Sequence, residues 1–441
     1  MTNIHTNDRG GGISSDNSRN IPSVKEKITI IELCSGIGCQ FQGIKNTPCF
    51  DPEVIATSEI GINAILSYAA IHHGLTNELI NNYHYPDIEY MRKYLTELNI
   101  GYDPEKNKTY DWFKSGKKFE ELVKKVYLAC VLNKNLGDMN RIKELPEVDV
   151  WFTSTPCTDI SIAGKLRGMN QDDQTSSSLI WHNIRLLKEA QKHNKLPKFI
   201  FLENVKNLVG KRFLNDFEAF NELIESFGYY THYSIVNAKN CGIPQNRERL
   251  FAIYVRKDID TGNFTFPEPF DNGLRLKNLL ENDVDESYNI TSQKTKMLIQ
   301  QLLKDGIIGN NNANSNTKTE AREKKIGNIH GFTGGNFAGN VYDQEYLCPA
   351  LNSMNGGQRQ PMIVVNNNQI RKLSEKECFA LQGFTFEDCD KCRNISISKS
   401  QLYKQLGNGI CVNCVELLFE HLYKSQYDSN FVCYDEVMAT N

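Results

Sequence analysis

The stretch Ile28–Gly38, ITIIELCSGIG, passes from a β-branched run into small residues and two glycines. β-Branched residues favour a pleated strand, and glycine suits the sharp turn that ends it. A helical pattern follows, then a second strand-like run, EVIATSE at Glu53–Glu59. Strand, glycine turn, helix and strand in that order predict a parallel α/β unit. Further strands are expected at Val148–Ser154, Lys198–Asn204, Tyr229–Ala238 and Arg249–Arg256, with helices such as Ser178–Lys192 between the first three. Ala64–Leu136 is charged and aromatic, with KSGKK and KKVY clusters, and reads as a helical insertion of unassigned role.

The bulk numbers set limits without choosing a function. The chain has 441 residues, enough for two or three domains, and its net charge of −3 gives no global sign of nucleic-acid binding. Any polyanion would need a local basic groove. Thirteen cysteines without an export signal predict free thiols in a reducing compartment. No apolar run approaches the roughly 18 residues of a membrane span. Residues 1–26 are polar and read as a disordered tail, and 27–262 as a catalytic domain. Residues 263–369, rich in glycine, asparagine and proline, read as a smaller second domain, and 370–441 as a junction and helix returning to the first.

Gly36 and Gly38 stand where a strand turns into a helix, so a ligand could approach the backbone closely. A dinucleotide fingerprint would place a third glycine at Phe41, which disfavours a pyrophosphate loop. Glu59 lies about 20 residues past Gly38, where an acid reaches a ribose hydroxyl pair. Asp138, in GDMN, could receive an adenine amino group. Ribose and adenine recognition without a phosphate clamp points to an adenosyl cofactor such as S-adenosylmethionine.

In TSTPCTDISIAG, Cys157 follows Pro156 directly. Alone, a cysteine is more often a buried apolar filler. With Glu203-Asn204-Val205, QNRER at Gln245–Arg249, RKLSEKECFALQGF at Arg371–Phe384 and YKQLGNG at Tyr403–Gly409, it forms an ordered set. This set resembles the DNA cytosine-5 methyltransferases, from about Ile28 to Tyr423, leaving out the insertion and much of Phe264–Gly339. The resemblance implies a Rossmann-like mixed α/β sheet flanked by helices, as in class I methyltransferases, with a second, smaller loop-rich target-recognition domain.

It also implies a mechanism. The Cys157 thiolate would add to carbon 6 of a flipped-out cytosine and activate carbon 5 toward the methyl donor, S-adenosylmethionine. Glu203 would serve as the acid at nitrogen 3, and Arg249, with Arg247 beside it, would bond the exocyclic oxygen. Ser35, Gly36, Ile37, Gly38, Glu59, Ile60, Asp138, Met139, Pro156, Leu179 and Asn408 are expected at the cofactor. Ser161, Lys165, Arg167 and Gln245 are expected at DNA. Double-stranded DNA is the expected partner, with a separately acting restriction endonuclease and a monomer in the cytoplasm of a bacterial or phage-infected cell, at the nucleoid. A tRNA cytosine methyltransferase and a silent DNA-binding regulator are the alternatives. The glycine-rich segment before Arg371 favours DNA over tRNA, and the intact Pro156-Cys157 pair with Glu203 favours catalysis.

Cys34 departs from the pattern, standing where the family carries an aromatic residue against the adenine. Thr158, Ala350 and Gly409 depart from it too. Cys389-x-x-Cys392 and Cys411-x-x-Cys414 have zinc-ribbon spacing. Because ICVNCVELLF opens an apolar stretch in which cysteine serves as a small core residue, no metal is expected.

Overall fold

The computed structural model describes residues 25–104, 106–156, 179–309, 320–330, 338–354, 359–366 and 368–428. Its centre is a six-stranded mixed sheet built from β1 (Glu26–Leu33), β2 (Phe50–Ser58), β3 (Val150–Thr153), β4 (Phe199–Val205), β5 (Tyr229–Asn237) and β7 (Glu248–Arg256), the short β6 (Gln245–Asn246) standing apart. The strand order is β2-β1-β3-β4-β7-β5. The first four run parallel, and β7 lies antiparallel to both β4 and β5. This is the Rossmann-like mixed sheet that the family resemblance implies, and its first strands form the parallel unit that the opening motif predicts. VWFT of β3 is buried along its whole length, as a strand covered on both faces must be.

Alternation along β4 decides which layer each side chain joins. Phe199 and Phe201 face one core, Ile200 and Leu202 the other. On the first face lie α1 (Cys39–Asn46) and the final helix α12 (Val412–Tyr427). Phe419 of α12 stacks on Phe201 at 4.2 Å and on Phe152 at 5.3 Å between ring centroids. Burying each such ring contributes about 2–3 kcal/mol. On the second face, α6 (Trp181–Lys192) and α7 (Leu214–Ser226) cover Trp151, and Trp181 meets Phe220 edge-on at 5.7 Å.

Between β2 and β3 run α2 (Ile62–His72), α3 (Asn77–Asn82), α4 (Ile88–Glu97) and α5 (Lys117–Leu132). The insertion expected from Ala64 therefore begins inside a helix. Because α2 is bonded to the turn after β1, it belongs to the central layers and not to an accessory. A cavity of about 770 Å³ lies among α3, α4 and α5, lined by Tyr83, Tyr85, Lys118 and Lys124. It does not include the residues of the candidate site.

A second, four-stranded sheet has the order β12-β11-β9-β8, from β8 (Lys325–Asn328), β9 (Asn340–Tyr342), β11 (Met362–Val365) and β12 (Gln369–Lys372). With α8 (Gln293–Lys304) it closes a separate small core of Ile299, Leu302, Val341, Met362 and Ile370. Two devices bind it to the first unit. β10 (Cys348–Pro349) pairs with β6, and α9 (Glu375–Leu381) carries Glu377, which takes both ends of Arg371 at 2.7 and 2.8 Å. The chain then returns through α10 (Phe386–Asn394) and α11 (Lys399–Asn408) to α12. Among the described residues, no helix is long and apolar enough to cross a membrane.

Candidate active site

After β1 the backbone turns through Cys34, Gly36 and Gly38, all at left-handed φ of 58°, 55° and 79°. The two glycines answer different needs. A Cβ on Gly36 would meet no atom within 4 Å, so this residue borders open space. A Cβ on Gly38 would stand 2.3 Å from His72 Nε2 and 2.7 Å from Tyr68 Cε2. The missing side chain at Gly38 makes room for α2, whereas the one at Gly36 leaves room for a ligand.

Glu59, just past β2, faces the same turn. Its Oε2 accepts from Gly36 N–H at 3.0 Å, and its Oε1 from the N–H groups of Ile60 and Gly61 at 2.9 and 2.7 Å. Asn135 clamps the Glu59 backbone, accepting from its N–H at 3.0 Å and donating to its carbonyl at 2.9 Å. Burial pushes the Glu59 carboxyl up, while the three amides pull it down. Asp138 is buried, and Asn99 donates to its Oδ2 at 2.7 Å. The backbone and side-chain N–H groups of Asn140 hold its Oδ1, each at 2.9 Å.

Cys34 sits within reach of both acids. Burial pushes its thiol well up, and Glu59 and then Asp138 push it further. Ser35, Ile37 and Met139 are buried, Ile60 and Leu179 half-buried, and Pro156 and Asn408 exposed. Two carboxylates and an open glycine around one space suit a ligand with a hydroxyl pair and an amino group. The residues present therefore fit an adenosyl cofactor.

The second half of the site lies at the far end of β4. The antiparallel register sets Glu203 opposite Phe251 and Val205 opposite Arg249. Arg249 Nε stands 3.3 Å from Glu203 Oε1, with side-chain exposures of 20% and 13%. Burial pushes the Glu203 carboxyl up, and Arg249 and then Arg247 draw it down, leaving it raised overall. β3 ends opposite β4, with Thr153 beside Leu202. Asn204 Nδ2 then reaches the Thr155 carbonyl at 3.5 Å. The chain approaching Cys157 thus leaves the sheet next to Glu203. Cys157, Ser161, Lys165 and Arg167 lie outside the described residues.

Two residues expected at the substrate face elsewhere. Arg247, read as a partner of Arg249 at the base, is buried and donates to the carbonyls of Leu351, Gly407 and Gly409 at 2.7, 3.0 and 2.6 Å. Its guanidinium fastens three chain segments where the two units meet. Gln245, expected at DNA, is fully buried. Its Nε2 donates to Leu381 O at 2.6 Å, and its Oε1 accepts from Leu351 N–H at 3.0 Å. The cause is shared: the short β6–β10 pairing pulls the start of the QNRER segment inward, and only Arg249, on β7, reaches the rim.

The four zinc-spaced cysteines are all buried. The free thiol of Cys414 is hydrogen-bonded with those of Cys411 and Cys241, whereas Cys389 neighbours Cys392, so the two pairs keep different company. Among the described residues no cluster of three or more His, Cys, Asp or Glu side chains could hold a metal.

Three contributors escape sequence reasoning, namely Asn135 behind Glu59, and Tyr68 and His72 behind the glycine turn. An asparagine in a loop, or a tyrosine and histidine on a helix, carries no spacing signal that separates a support from an ordinary core residue.

Comparison with known proteins identifies the family. Residues 113–424 match the family model of the C-5 cytosine-specific DNA methylases. The chain is 32% identical over 403 residues to the type II methyltransferase M2.ScrFI of Lactococcus lactis subsp. cremoris, covering 90% of this chain and all of that one. It is 27% identical over 304 residues to M.HhaI of Haemophilus parahaemolyticus, covering 68% of this chain and 84% of that protein. Among solved structures, the Entamoeba histolytica methyltransferase EhMeth shares the fold, with a TM-score of 0.52 at 16% identity over 91% of this chain and 99% of that one. The chain belongs to the C-5 cytosine-specific DNA methylase family, and it transfers a methyl group from S-adenosylmethionine to carbon 5 of cytosine in DNA.

Proposed function

We propose that Cys157 is the nucleophile of this reaction and that Glu203 is its acid. The observation that carries this is a carboxyl raised by burial, at a strand end adjoining the one that leads into Pro156-Cys157. Carbon 5 of cytosine is too weak a nucleophile to attack a methylsulfonium unaided. Addition of the Cys157 thiolate to carbon 6 pushes an electron pair into the ring, and a proton from Glu203 at nitrogen 3 receives it. Carbon 5, now enamine-like, takes the methyl group. Water takes the carbon-5 proton, the freed electron pair re-forms the ring double bond and expels the thiolate from carbon 6, and nitrogen 3 returns its proton to Glu203.

Such acid help contributes about 10²–10⁴ in rate. Arg249 orders the acid and bonds the base, and Arg247 braces the junction on which Arg249 rests. S-adenosylmethionine supplies the electrophilic methyl. Glu59 holds its ribose hydroxyls, Asp138 receives its amino group, and Gly36 lets it approach the backbone. Ser161, Lys165 and Arg167 meet phosphates, and the small sheet reads base edges. The chain acts as a monomer within a short DNA sequence, paired with a separate endonuclease or alone.

Duplex DNA carrying 5-fluorocytosine tests the chemistry, because fluorine at carbon 5 cannot leave as a proton. The wild type should form a covalent adduct that survives denaturation, and Cys157→Ala should form none. A trapped complex with Cys157→Ala, or none with an active wild type, would overturn the assignment.

A further inference from the structure

We propose that His72 and Tyr68, both on α2, are positioning residues for the methyl donor, holding the Gly36–Gly38 turn from its protein-facing side. This rests on the reading of that turn as part of the cofactor pocket. Neither residue is placed to touch the cofactor; each acts through backbone.

His72 Nε2 stands 2.9 Å from the Ile37 carbonyl. A carbonyl only accepts, so Nε2 carries the proton and Nδ1 is left with a bare lone pair. That Nδ1 is buried with no hydrogen-bond partner. An aromatic hydrocarbon would fill the space without burying a bare ring nitrogen, so packing alone does not account for a histidine here. The bond to Ile37 does. The ring is packed by Tyr68 at 4.7 Å and Phe41 at 5.2 Å between centroids. Burial lowers its pKa to about 3, so near neutrality it stays uncharged and keeps the donating tautomer.

The peptide unit joining Ile37 to Gly38 is thereby held at both ends. His72 takes its oxygen, and its N–H donates to the Ser35 carbonyl at 3.0 Å. Tyr68 secures the next residues. Its hydroxyl donates to Glu32 Oε2, and Glu32 Oε1 accepts from Phe41 N–H at 3.0 Å, in the first turn of α1. The space where a Gly38 side chain would sit is filled by these same two rings. From the open side, Glu59 bonds Gly36 N–H. The turn is thus gripped between the acid proposed to face the ribose and a polar pair on the helix behind it.

The test is calorimetric binding of S-adenosylmethionine together with steady-state methylation of duplex DNA. His72→Phe keeps the ring and loses the donor. It should raise the Kd and KM for S-adenosylmethionine about five- to tenfold, as loss of one buried hydrogen bond implies. The kcat and the KM for DNA should stay within about twofold of wild type. His72→Gln restores an N–H donor and should recover most of the loss. Tyr68→Phe, which keeps its ring, should weaken cofactor binding about threefold, and it serves as the test should His72→Phe fail to fold. Unchanged cofactor affinity in the folded variants would overturn the proposal. So would a parallel loss of kcat, DNA binding and cofactor binding that His72→Gln does not rescue. Glu59→Gln is run beside them: unchanged affinity there would instead remove the pocket reading itself.

Discussion

The rim of the sheet and the floor beneath it are built from the same motifs, often from residues two apart. On the rim stand Gly36, Glu59, Glu203 and Arg249, bordering open space or only partly covered. On the floor lie Glu32, Gly38, Gln245 and Arg247, enclosed and committed to other parts of the chain. Polar residues in a motif therefore divide between those that await a ligand and those that hold the first set still. The division matters energetically because a buried polar group with no partner costs about 1–3 kcal/mol, whereas a rim group can exchange its partner for substrate.

Glu203→Gln should give the largest effect. It keeps size and polarity but removes the acid proton, so single-turnover methylation should slow by about 10²–10⁴ with cofactor affinity retained. The sign with pH follows from the raised carboxyl. In the proposed role the protonated form is the active one, so the wild-type rate should fall as pH rises through the Glu203 pKa, and the variant should lack that limb. A loss of less than tenfold would move Glu203 from the rim to the floor.

Next in size is the contrast between the two arginines. Arg247→Ala strands three carbonyls, two of them buried, and should destabilise the junction by about 3 kcal/mol, read as a lower Tm and faster proteolysis between the units. Arg249→Ala should leave Tm nearly unchanged while activity collapses. Equal thermal losses would erase the distinction.

Glu32 provides a pH test of the floor. Its carboxyl is pushed up to about 7, chiefly by burial, with Tyr68 and Phe41 N–H opposing. The folded chain keeps this proton where the unfolded chain, titrating near 4.5, has lost it. Stability from this group is therefore full at acid pH and declines between about 4.5 and 7, by on the order of 3 kcal/mol. Glu32→Gln should flatten that part of the Tm–pH curve.

The smallest effect separates the glycines. Both have left-handed φ, so alanine costs about 1 kcal/mol at either. Gly38→Ala must also displace His72 and Tyr68 and should lower Tm further than Gly36→Ala, whose penalty should appear mainly in cofactor affinity. A reversed order would mean that the open space lies behind Gly38.

Much of this was legible in the primary structure. The β-branched run of β1 and the apolar run of β4 were legible because strands covered on both faces are largely apolar. The ELCSGIG turn and Glu59 could be paired because a parallel α/β unit returns its second strand beside its first. What could not be read was direction. QNRER shows five polar side chains in a row, yet Gln245 and Arg247 turn inward because β6 pairs with β10, about a hundred residues away in sequence. The break at Ala64 misses α2 for the same reason, since the bonds from Tyr68 and His72 span 36 and 35 residues.

Sequence by itself determined the chemistry on offer, namely which strands of the central sheet form, which acids and thiol are present, and in what order. That information is local, carried by side-chain type and by a repeat of two or four residues. Tertiary structure alone decided which polar groups remain available, because availability depends on long-range partners and on exclusion of water. Arg249 against Arg247, and Gly36 against Gly38, are identical in composition and differ only in what the fold places beside them.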